Sequence, residues 1–195
     1  MIYSTWESEK AVIVDRILNS PGKYVIEIGS FQGCTSKVMA EACAKSDKHL
    51  ICIDPWAGEG MPIKPDESMY QIFLANMEPY KDLLTVIRKE SHLCVSDLPK
   101  DIEGNLAVAF IDGNHFYPHP FVDMLICWPL LTVGGAVILH DIFDAWHSRH
   151  IKICLDDFLA SHGQGRIVHY QQYIPTETEI KNSHHGVSGL AWIVK

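Results

Sequence analysis

The stretch Tyr24–Ser36, which reads YVIEIGSFQGCTS, constrains the fold of this chain more than any other. It begins with apolar or aromatic residues interrupted only by Glu27, which is typical of a short strand buried on both faces. Gly29 and Gly33 then bracket a tight turn, and the residues that follow (CTSKVMAEACAK) predict a helix. A strand, a glycine turn and a helix together present backbone N–H groups and a positive helix end to a small ligand. We therefore expect other strands to end around this turn.

Predicted helices and strands alternate along the rest of the chain. Apolar spacing predicts helices over 6–19, 34–45, 67–80, 91–98, 118–131 and 147–162, a long loop over 55–66, and strands over 24–28, 50–54, 84–88, 106–112, 135–141, 166–173 and 190–194. Strands with continuous apolar runs, separated by helices, imply a parallel sheet covered on both faces. Only a loop joins the last two strands, so we expect them to pair antiparallel. The predicted fold is a single α/β domain over 1–195, a Rossmann-like three-layer sandwich whose mostly parallel sheet has a C-terminal antiparallel strand.

Charge and composition exclude several classes of protein. Sixteen basic against 24 acidic residues give a formal net charge of −8 without a Lys/Arg cluster, which argues against a nucleic-acid partner. No apolar run approaches the roughly 18 residues of a membrane span, and the start MIYSTWESEK lacks the basic and apolar segments of a signal peptide. The six cysteines are scattered without a CxxC pair, so we expect reduced thiols in a cytoplasmic protein. None of these features excludes a homodimer.

Acidic residues stand at the ends of four predicted strands. Asp54, Asp112 and Asp141 end their strands, and Glu27 lies one residue before the end of another. Carboxylates at the C-terminal ends of parallel strands point into the crevice where such sheets bind ligands. Any one of them could instead cap a helix. Four caps at once are a less economical explanation than one shared binding site.

The charge of this crevice indicates which adenosine-containing cofactor it would bind. The dinucleotide fingerprint is G-x-G-x-x-G, whereas this chain has E-x-G-x-x-x-G with bulky Phe31 and Gln32 inside the turn. A carboxylate at Glu27 would repel a pyrophosphate but suit the sulfonium and ammonium of S-adenosylmethionine. Asp54 follows Gly33 by about 20 residues, where an acid binds ribose hydroxyls in nucleotide-binding sheets. The pattern therefore favours S-adenosylmethionine over NAD.

Three motifs resemble one family of enzymes. VIEIGSFQG resembles the first motif of class I methyltransferases, and IDPWAG resembles the acidic end of the second strand of that fold. The longest motif, FIDGNHFYPHPFVDMLICWPLLTVGGAVILHDIF, is similar to a stretch of small bacterial O-methyltransferases, including the macrocin (sugar) type and the more distant catechol type. The resemblance spans residues 24–144 and, weakly, the closing GLAWIV. It implies a Rossmann-like fold and transfer of a methyl group from S-adenosylmethionine to a hydroxyl.

The resemblance also implies roles for individual residues. The methionine part of S-adenosylmethionine would be held by Glu27, Gly29, Ser30 and Gly33. Asp54 would bind the ribose, and Ser91 would lie near the adenine with Trp56 as a neighbour. Asp112 would border the cofactor as well, and it matches, with Asp141, positions that hold a divalent metal in metal-dependent members. The chain departs from the catechol type, which has an acid and an amide where this chain has His140–Asp141 and a lysine base where it has His115.

The expected geometry of these strand ends also favours a metal site. The fourth and fifth strands should be neighbours about 4.8 Å apart, so Asp112 and Asp141 can share one ion. Oxygen ligands suit Mg²⁺, whereas ligation by His140 would shift the preference toward Mn²⁺, Fe²⁺ or Zn²⁺. The ion would lower the pKa of an acceptor hydroxyl, and His115 could take the proton because imidazole titrates near neutral pH.

Three functional hypotheses follow. The favoured one is a methyltransferase acting on a hydroxyl of a small molecule or sugar. The second is a metal-dependent oxygenase or hydrolase that uses Asp112, His115, His140 and Asp141, although the glycine turn and Asp54 would then be idle. The third is a non-catalytic module that binds S-adenosylmethionine. The segments expected to shape the acceptor site, 55–70 and 142–151, are poor in Lys and Arg, which favours a neutral or cationic acceptor over a phosphorylated one.

Overall fold

A computed structural model describes residues 7–57, 66–144, 148–174 and 187–195. Its helices are α1 (Glu7–Asn19), α2 (Cys34–Lys45), α3 (Glu67–Met77), α4 (His119–Leu130) and α5 (Ser148–Ser161). Its strands are β1 (Tyr24–Ile28), β2 (His49–Ile53), β3 (Leu84–Ile87), β4 (Leu106–Ile111), β5 (Leu131–Leu139), β6 (Val168–Tyr173) and β7 (Ser188–Val194). The predicted helix start at Trp6, most of the predicted loop over 55–66 and the predicted helix start at His147 lie outside the described residues.

The strands form one seven-stranded sheet in the order β3-β2-β1-β4-β5-β7-β6. Neighbouring strands from β3 to β5 pair in parallel. β7 pairs antiparallel with both β5 and β6. The predicted Rossmann-like architecture with its C-terminal antiparallel strands is therefore confirmed.

Two hydrophobic cores cover the two faces of the sheet. Successive residues of a strand point to opposite faces, and in β1 Val25 packs with the core that contains residues of α1, α2 and α3, whereas Ile26 packs with the core that contains residues of α4 and α5. Both residues are fully buried. Helices on both sides explain why the central strands β1 and β4 are buried along their whole length, whereas the edge strand β6 is polar and partly exposed. No helix within the described ranges combines the length and the apolarity that a membrane span requires.

The strand order places a ligand crevice at the ends of β1 and β4. Connections from β1 run to β2 on one side, and the chain returns to β4 on the other side of β1. Open α/β sheets bind ligands at such a switch point, outside the C-terminal ends of the strands. The glycine turn follows β1 and Asp112 follows β4, so the fold brings both predicted features to this crevice.

Most predicted elements have bounds within two residues of the observed ones, and three differ more. The helix predicted over 67–80 ends at Met77 and continues as a 3₁₀ segment, Glu78–Leu83, because Pro79 has no N–H to donate within a helix. The helix predicted over 91–98 is two 3₁₀ turns, Ser91–Leu93 and Val95–Asp97. β5 begins at Leu131 rather than at residue 135, with an irregular register against β4 that the apolar run does not signal.

Candidate functional site

The glycine turn after β1 depends on a close approach between two strand ends. Gly29 has a φ of +92°, and a Cβ there would lie 2.2 Å from the carbonyl oxygen of Asp112. Only glycine tolerates both the left-handed backbone and this distance. The N–H of Gly29 donates to the carbonyl of Ile53 at 2.9 Å, and that of Asp112 donates to the carbonyl of Ile28 at 2.8 Å. The turn is thereby joined to the ends of both β2 and β4.

Glu27 lies beneath this turn rather than on its surface. The carboxylate is fully buried and accepts hydrogen bonds from the hydroxyls of Ser30, at 2.7 Å, and Ser36. Burial raises the pKa of Glu27 to about 7, although both hydroxyls oppose the rise. Its other oxygen, Oε1, is buried without a hydrogen bond to any described residue. Glu27 thus holds the first turn of α2 and retains one unused acceptor.

Asp54 and Trp56 hold the turn from the side of β2. The Asp54 carboxylate accepts the N–H of Phe31 at 2.9 Å and that of Trp56 at 2.6 Å, and burial raises its pKa. The Trp56 indole donates to the carbonyl of Phe31 at 2.7 Å and packs against Tyr70 and Phe73, with ring centroids 4.8 and 4.7 Å away. Because only 1% of Trp56 is exposed, this residue supports the turn from behind.

Ser91 lies in the 3₁₀ turn after β3 and faces α4. Its side chain forms a hydrogen bond with Asp123, a residue of α4 that is 1% exposed. Burial raises the pKa of Asp123 to about 6. This contact fixes the segment after β3 against α4. Ser91 is not among the residues that line the cleft at the glycine turn.

Two aspartates and two histidines converge where β4 and β5 end. Nε2 of His115 lies 3.3 Å from Oδ1 of Asp112 and 3.3 Å from Oδ2 of Asp141. Nδ1 of His140 lies 3.1 Å from Oδ1 of Asp112 and 3.2 Å from Oδ1 of Asp141. Asp141 has a φ of +56°, a left-handed conformation that is strained for a residue with a side chain and is common at functional sites. We call these four residues the Asp/His cluster.

The charges of the Asp/His cluster are strongly coupled. Burial alone would lower the pKa of His115, but the two carboxylates raise it to about 9. The same carboxylates outweigh burial at His140 and raise its pKa well above the usual value. Burial would raise the pKa of Asp112 and Asp141, but His140 lowers both. The four groups therefore favour the protonated form of the two histidines and the ionised form of the two aspartates.

Two further polar residues, which the sequence analysis did not single out, contact this cluster. Glu9 of α1 is fully buried, with Oε2 3.4 Å from Nε2 of His140. Ser188, the first residue of β7, donates to Oε1 of Glu9 at 2.8 Å, and its hydroxyl lies 3.3 Å from Oδ1 of Asp141. Glu9 stands four residues before Ile13 and eight before Ile17, on the buried face of α1. A charged residue on an apolar helix stripe is the signal that could have revealed it.

One cleft joins the glycine turn to the Asp/His cluster. Its volume is about 170 Å³, and it is lined by Gly29, Ser30, Phe31, Gln32, Cys34, Thr35, Asp112, Gly113, His115 and Asp141. The ligating atoms of Asp112, His115 and Asp141 all lie within 4.8 Å of one another, as in a site that could hold a metal ion. Of the predicted residues, Glu27, Asp54 and Trp56 support the turn from behind, Ser91 lies beside α4, and His140 is the buried member of the Asp/His cluster.

Comparisons with known proteins agree with this architecture. An uncharacterized protein of Acanthamoeba polyphaga mimivirus is 24% identical over 148 residues, which cover 75% of this chain, and the chain spans 63% of that relative's length. The crystal structure of cofactor-bound Rv0187 from MTB superposes with a TM-score of 0.73 at 12% identity, covering 98% of this chain and 81% of that one. The O-methyltransferase TomG from Streptomyces achromogenes, solved in complex with SAM, has a TM-score of 0.70 at 15% identity, covering 99% and 81%.

The glycine turn and the Asp/His cluster lie within one recognised domain. A family model described as a methyltransferase domain matches residues 26–142, from β1 to just beyond the end of β5. That match contains the turn, Asp54 and the complete Asp/His cluster. The chain therefore belongs to the family of methyltransferase domains.

Proposed function

We propose that this protein transfers a methyl group from S-adenosylmethionine to a hydroxyl of a small molecule or sugar, assisted by a divalent metal ion. The observation that carries the proposal is the single cleft lined by both the glycine turn and the Asp/His cluster. The methyltransferase family and the fold shared with TomG, an O-methyltransferase solved with SAM, support it. S-adenosylmethionine would supply an electrophilic methyl group on a sulfonium.

The residues around the turn suit S-adenosylmethionine. The N-terminus of α2 faces the cleft through Cys34 and Thr35, and helix N-termini favour a carboxylate such as that of the methionine part. The buried Oε1 of Glu27 has no hydrogen bond to a described residue, so it could accept one from an ammonium group. The Asp54 carboxylate accepts the N–H groups of Phe31 and Trp56, and its two oxygens have further lone pairs for a ribose hydroxyl.

The Asp/His cluster suits a divalent ion. Atoms that bind one ion at about 2.0–2.2 Å lie about 2.8–3.6 Å from one another in octahedral or tetrahedral geometry. The nitrogen-to-oxygen distances in the cluster are 3.1, 3.2, 3.3 and 3.3 Å. Asp112, Asp141 and His140 would hold the ion, as the sequence analysis proposed, with His115 at its edge. The ion would supply Lewis acidity that lowers the pKa of an acceptor hydroxyl.

His115 would act as the proton acceptor. Its side chain is 20% exposed on the cleft wall, whereas that of His140 is 2% exposed. The two carboxylates raise the pKa of His115, and a cation that neutralised them would lower that pKa toward the value of a free imidazole, which could then accept the proton of the acceptor hydroxyl. Two carboxylates, with no Lys or Arg among the described lining residues, favour a neutral or cationic acceptor. Most of the enzyme's contribution would be positioning.

Two measurements test this function. Calorimetry should detect binding of S-adenosylhomocysteine and not of NAD. Methyl transfer from labelled S-adenosylmethionine should then be screened over sugars and catechol-like diols, with Mg²⁺ or Mn²⁺ and again after chelation. Binding of NAD without binding of S-adenosylhomocysteine would refute the proposal. Full activity after chelation and dialysis would show that methyl transfer does not require a metal ion.

A further inference from the structure

The methyl-transfer proposal leaves Glu9 without a role, although it is a fully buried carboxylate beside the Asp/His cluster. Glu9 lies on α1, and its two oxygens have different partners: Oε1 accepts the hydroxyl of Ser188 at 2.8 Å, and Oε2 lies 3.4 Å from Nε2 of His140. A buried charge is costly unless it is paired. Ile13 and Ile17 already fix α1 in the core, so anchoring the helix does not require an acid at this position.

The two nitrogens of His140 face different surroundings. Nε2 faces Glu9 and, at 3.5 Å, the hydroxyl of Ser188. Nδ1 faces Asp112 and Asp141 at 3.1 and 3.2 Å. Nδ1 is buried and makes no hydrogen bond of acceptable geometry with any described residue. Nδ1 therefore lies next to both carboxylates at similar distances.

We propose that Glu9 is a positioning residue that prepares His140 to bind the metal ion through Nδ1. Glu9 accepts the Nε2–H of His140 and keeps the proton on that nitrogen, so Nδ1, which faces Asp112 and Asp141, is the nitrogen that would lose its proton to bind a metal ion. Histidines that bind metals commonly donate their other ring N–H to a carboxylate in this way. The inference rests on the metal-assisted function proposed above and adds to it a residue outside the matched domain residues 26–142.

This arrangement also bears on the choice of metal. Two carboxylates with the imidazole of His140 form a mixed oxygen and nitrogen set, which suits Mn²⁺, Fe²⁺ or Zn²⁺ better than Mg²⁺. Because Glu9 raises the basicity of His140 as a ligand, it strengthens the preference for ions that accept nitrogen. We expect the protein to bind Mn²⁺ and Zn²⁺ more tightly than Mg²⁺.

The test compares metal binding by Glu9→Gln and by Glu7→Gln in the full chain. Glu7 lies on the same helix but is exposed and pairs with Lys10, so it controls for the loss of one acid from α1. Calorimetric titration with Mn²⁺ should give 10- to 100-fold weaker binding for Glu9→Gln, the range measured for such supporting carboxylates, and unchanged binding for Glu7→Gln. This readout does not depend on knowing the acceptor.

The outcomes separate this inference from the proposed function. Mn²⁺ binding by Glu9→Gln at wild-type affinity would overturn the role of Glu9 and leave the metal intact. A wild-type chain that binds none of Mn²⁺, Zn²⁺ and Mg²⁺ would refute the metal itself. If Glu9→Gln does not fold, ¹⁵N NMR of wild-type protein with Zn²⁺ decides: Nδ1 of His140 should show metal binding while Nε2 keeps its proton. Zn²⁺ on Nε2, or on neither nitrogen, would overturn the inference.

Discussion

At the scale of single residues, the acids that end the strands have two different tasks. Glu27 and Asp54 are used mainly within the protein, because they accept hydroxyl or N–H donors of the glycine turn. Asp112 and Asp141 face the cleft together with His115. The same residue type at equivalent strand ends therefore supports the turn in one case and faces the proposed ligands in the other.

His115 is the residue whose loss should affect chemistry most selectively. His115→Ala should lower turnover by roughly 10²–10⁴-fold, as expected for removal of a general base, with affinity for S-adenosylhomocysteine retained. His119→Ala is a matched control, since His119 is exposed at the start of α4. Steady-state rates and calorimetry on both variants check this prediction. Unchanged turnover in His115→Ala would show that the proton leaves by another route.

Glu27 should make the stability of the ligand-free protein depend on pH. Burial raises the pKa of Glu27 in the folded protein from 4.5 to about 7. Its contribution to the free energy of unfolding is therefore fully present below pH 4.5 and is lost as the pH rises through 7. The shift corresponds to about 3 kcal/mol of unfolding free energy. Glu27→Gln should remove this part of the pH dependence, and Glu103→Gln, at an exposed site, should not. Urea unfolding at pH 5 and pH 8 gives the change in unfolding free energy between the two pH values. The same change in wild type and Glu27→Gln would contradict the prediction.

At the scale of elements, the structure depends on how closely the ends of β1, β2 and β4 approach one another. The turn after β1 touches β4 through Gly29 and β2 through Asp54. Trp56 closes the arrangement from behind. Small changes at these contacts should therefore affect both stability and ligand binding.

Gly29→Ala tests the approach of β1 to β4. The new Cβ would meet the Asp112 carbonyl at 2.2 Å, whereas a Cβ at Gly104, where φ is +69°, would meet nothing within 4 Å. Gly104→Ala thus measures only the left-handed backbone, worth about 1–2 kcal/mol. Gly29→Ala should cost at least about 2 kcal/mol more, because a backbone clash must be relieved. Urea unfolding of both variants decides, and equal losses would show that the strand ends can separate freely.

Asp54→Ala should weaken ligand binding and the turn together. Loss of a hydrogen bond to a charged group should weaken S-adenosylhomocysteine binding by about 1.5–3 kcal/mol. The urea midpoint should also fall, because the N–H groups of Phe31 and Trp56 lose their acceptor. Asp82→Ala, in the exposed part of the 3₁₀ segment, should change neither quantity. Wild-type affinity in Asp54→Ala would restrict Asp54 to supporting the turn.

At the scale of the whole molecule, ligands that bind only the folded protein should stabilise it by mass action. A ligand at a hundredfold excess over its Kd adds about 2.7 kcal/mol to the unfolding free energy. We expect this effect from S-adenosylhomocysteine and, separately, from Mn²⁺. The double variant Asp112→Asn/Asp141→Asn should lose the stabilisation by Mn²⁺ and keep most of the stabilisation by S-adenosylhomocysteine. Thermal unfolding scans check this, and retention of the full Mn²⁺ shift by the double variant would place the ion elsewhere.

The sequence alone was sufficient for features that arise from local patterns. Continuous apolar runs predicted the strands, and Gly29 and Gly33 predicted the turn. These predictions succeed because strand burial and turn geometry depend on neighbouring residues in the chain. Of the four acids predicted to point into the crevice, Asp112 and Asp141 line the cleft, whereas Glu27 and Asp54 accept hydrogen bonds from the turn. The alternation of helices with apolar strands was likewise enough to predict the confirmed parallel sheet.

Only the tertiary structure decided which side chains meet and what charge they carry. Glu9 reaches His140 across 131 positions of sequence, and Ser188 reaches Glu9 across 179. Trp56 lies inward behind the turn, and two carboxylates that follow different strands raise the pKa of His115. Such contacts depend on which faces of distant elements pack together, and a pKa depends on burial and on charges brought near by folding. No local pattern in the chain encodes either quantity.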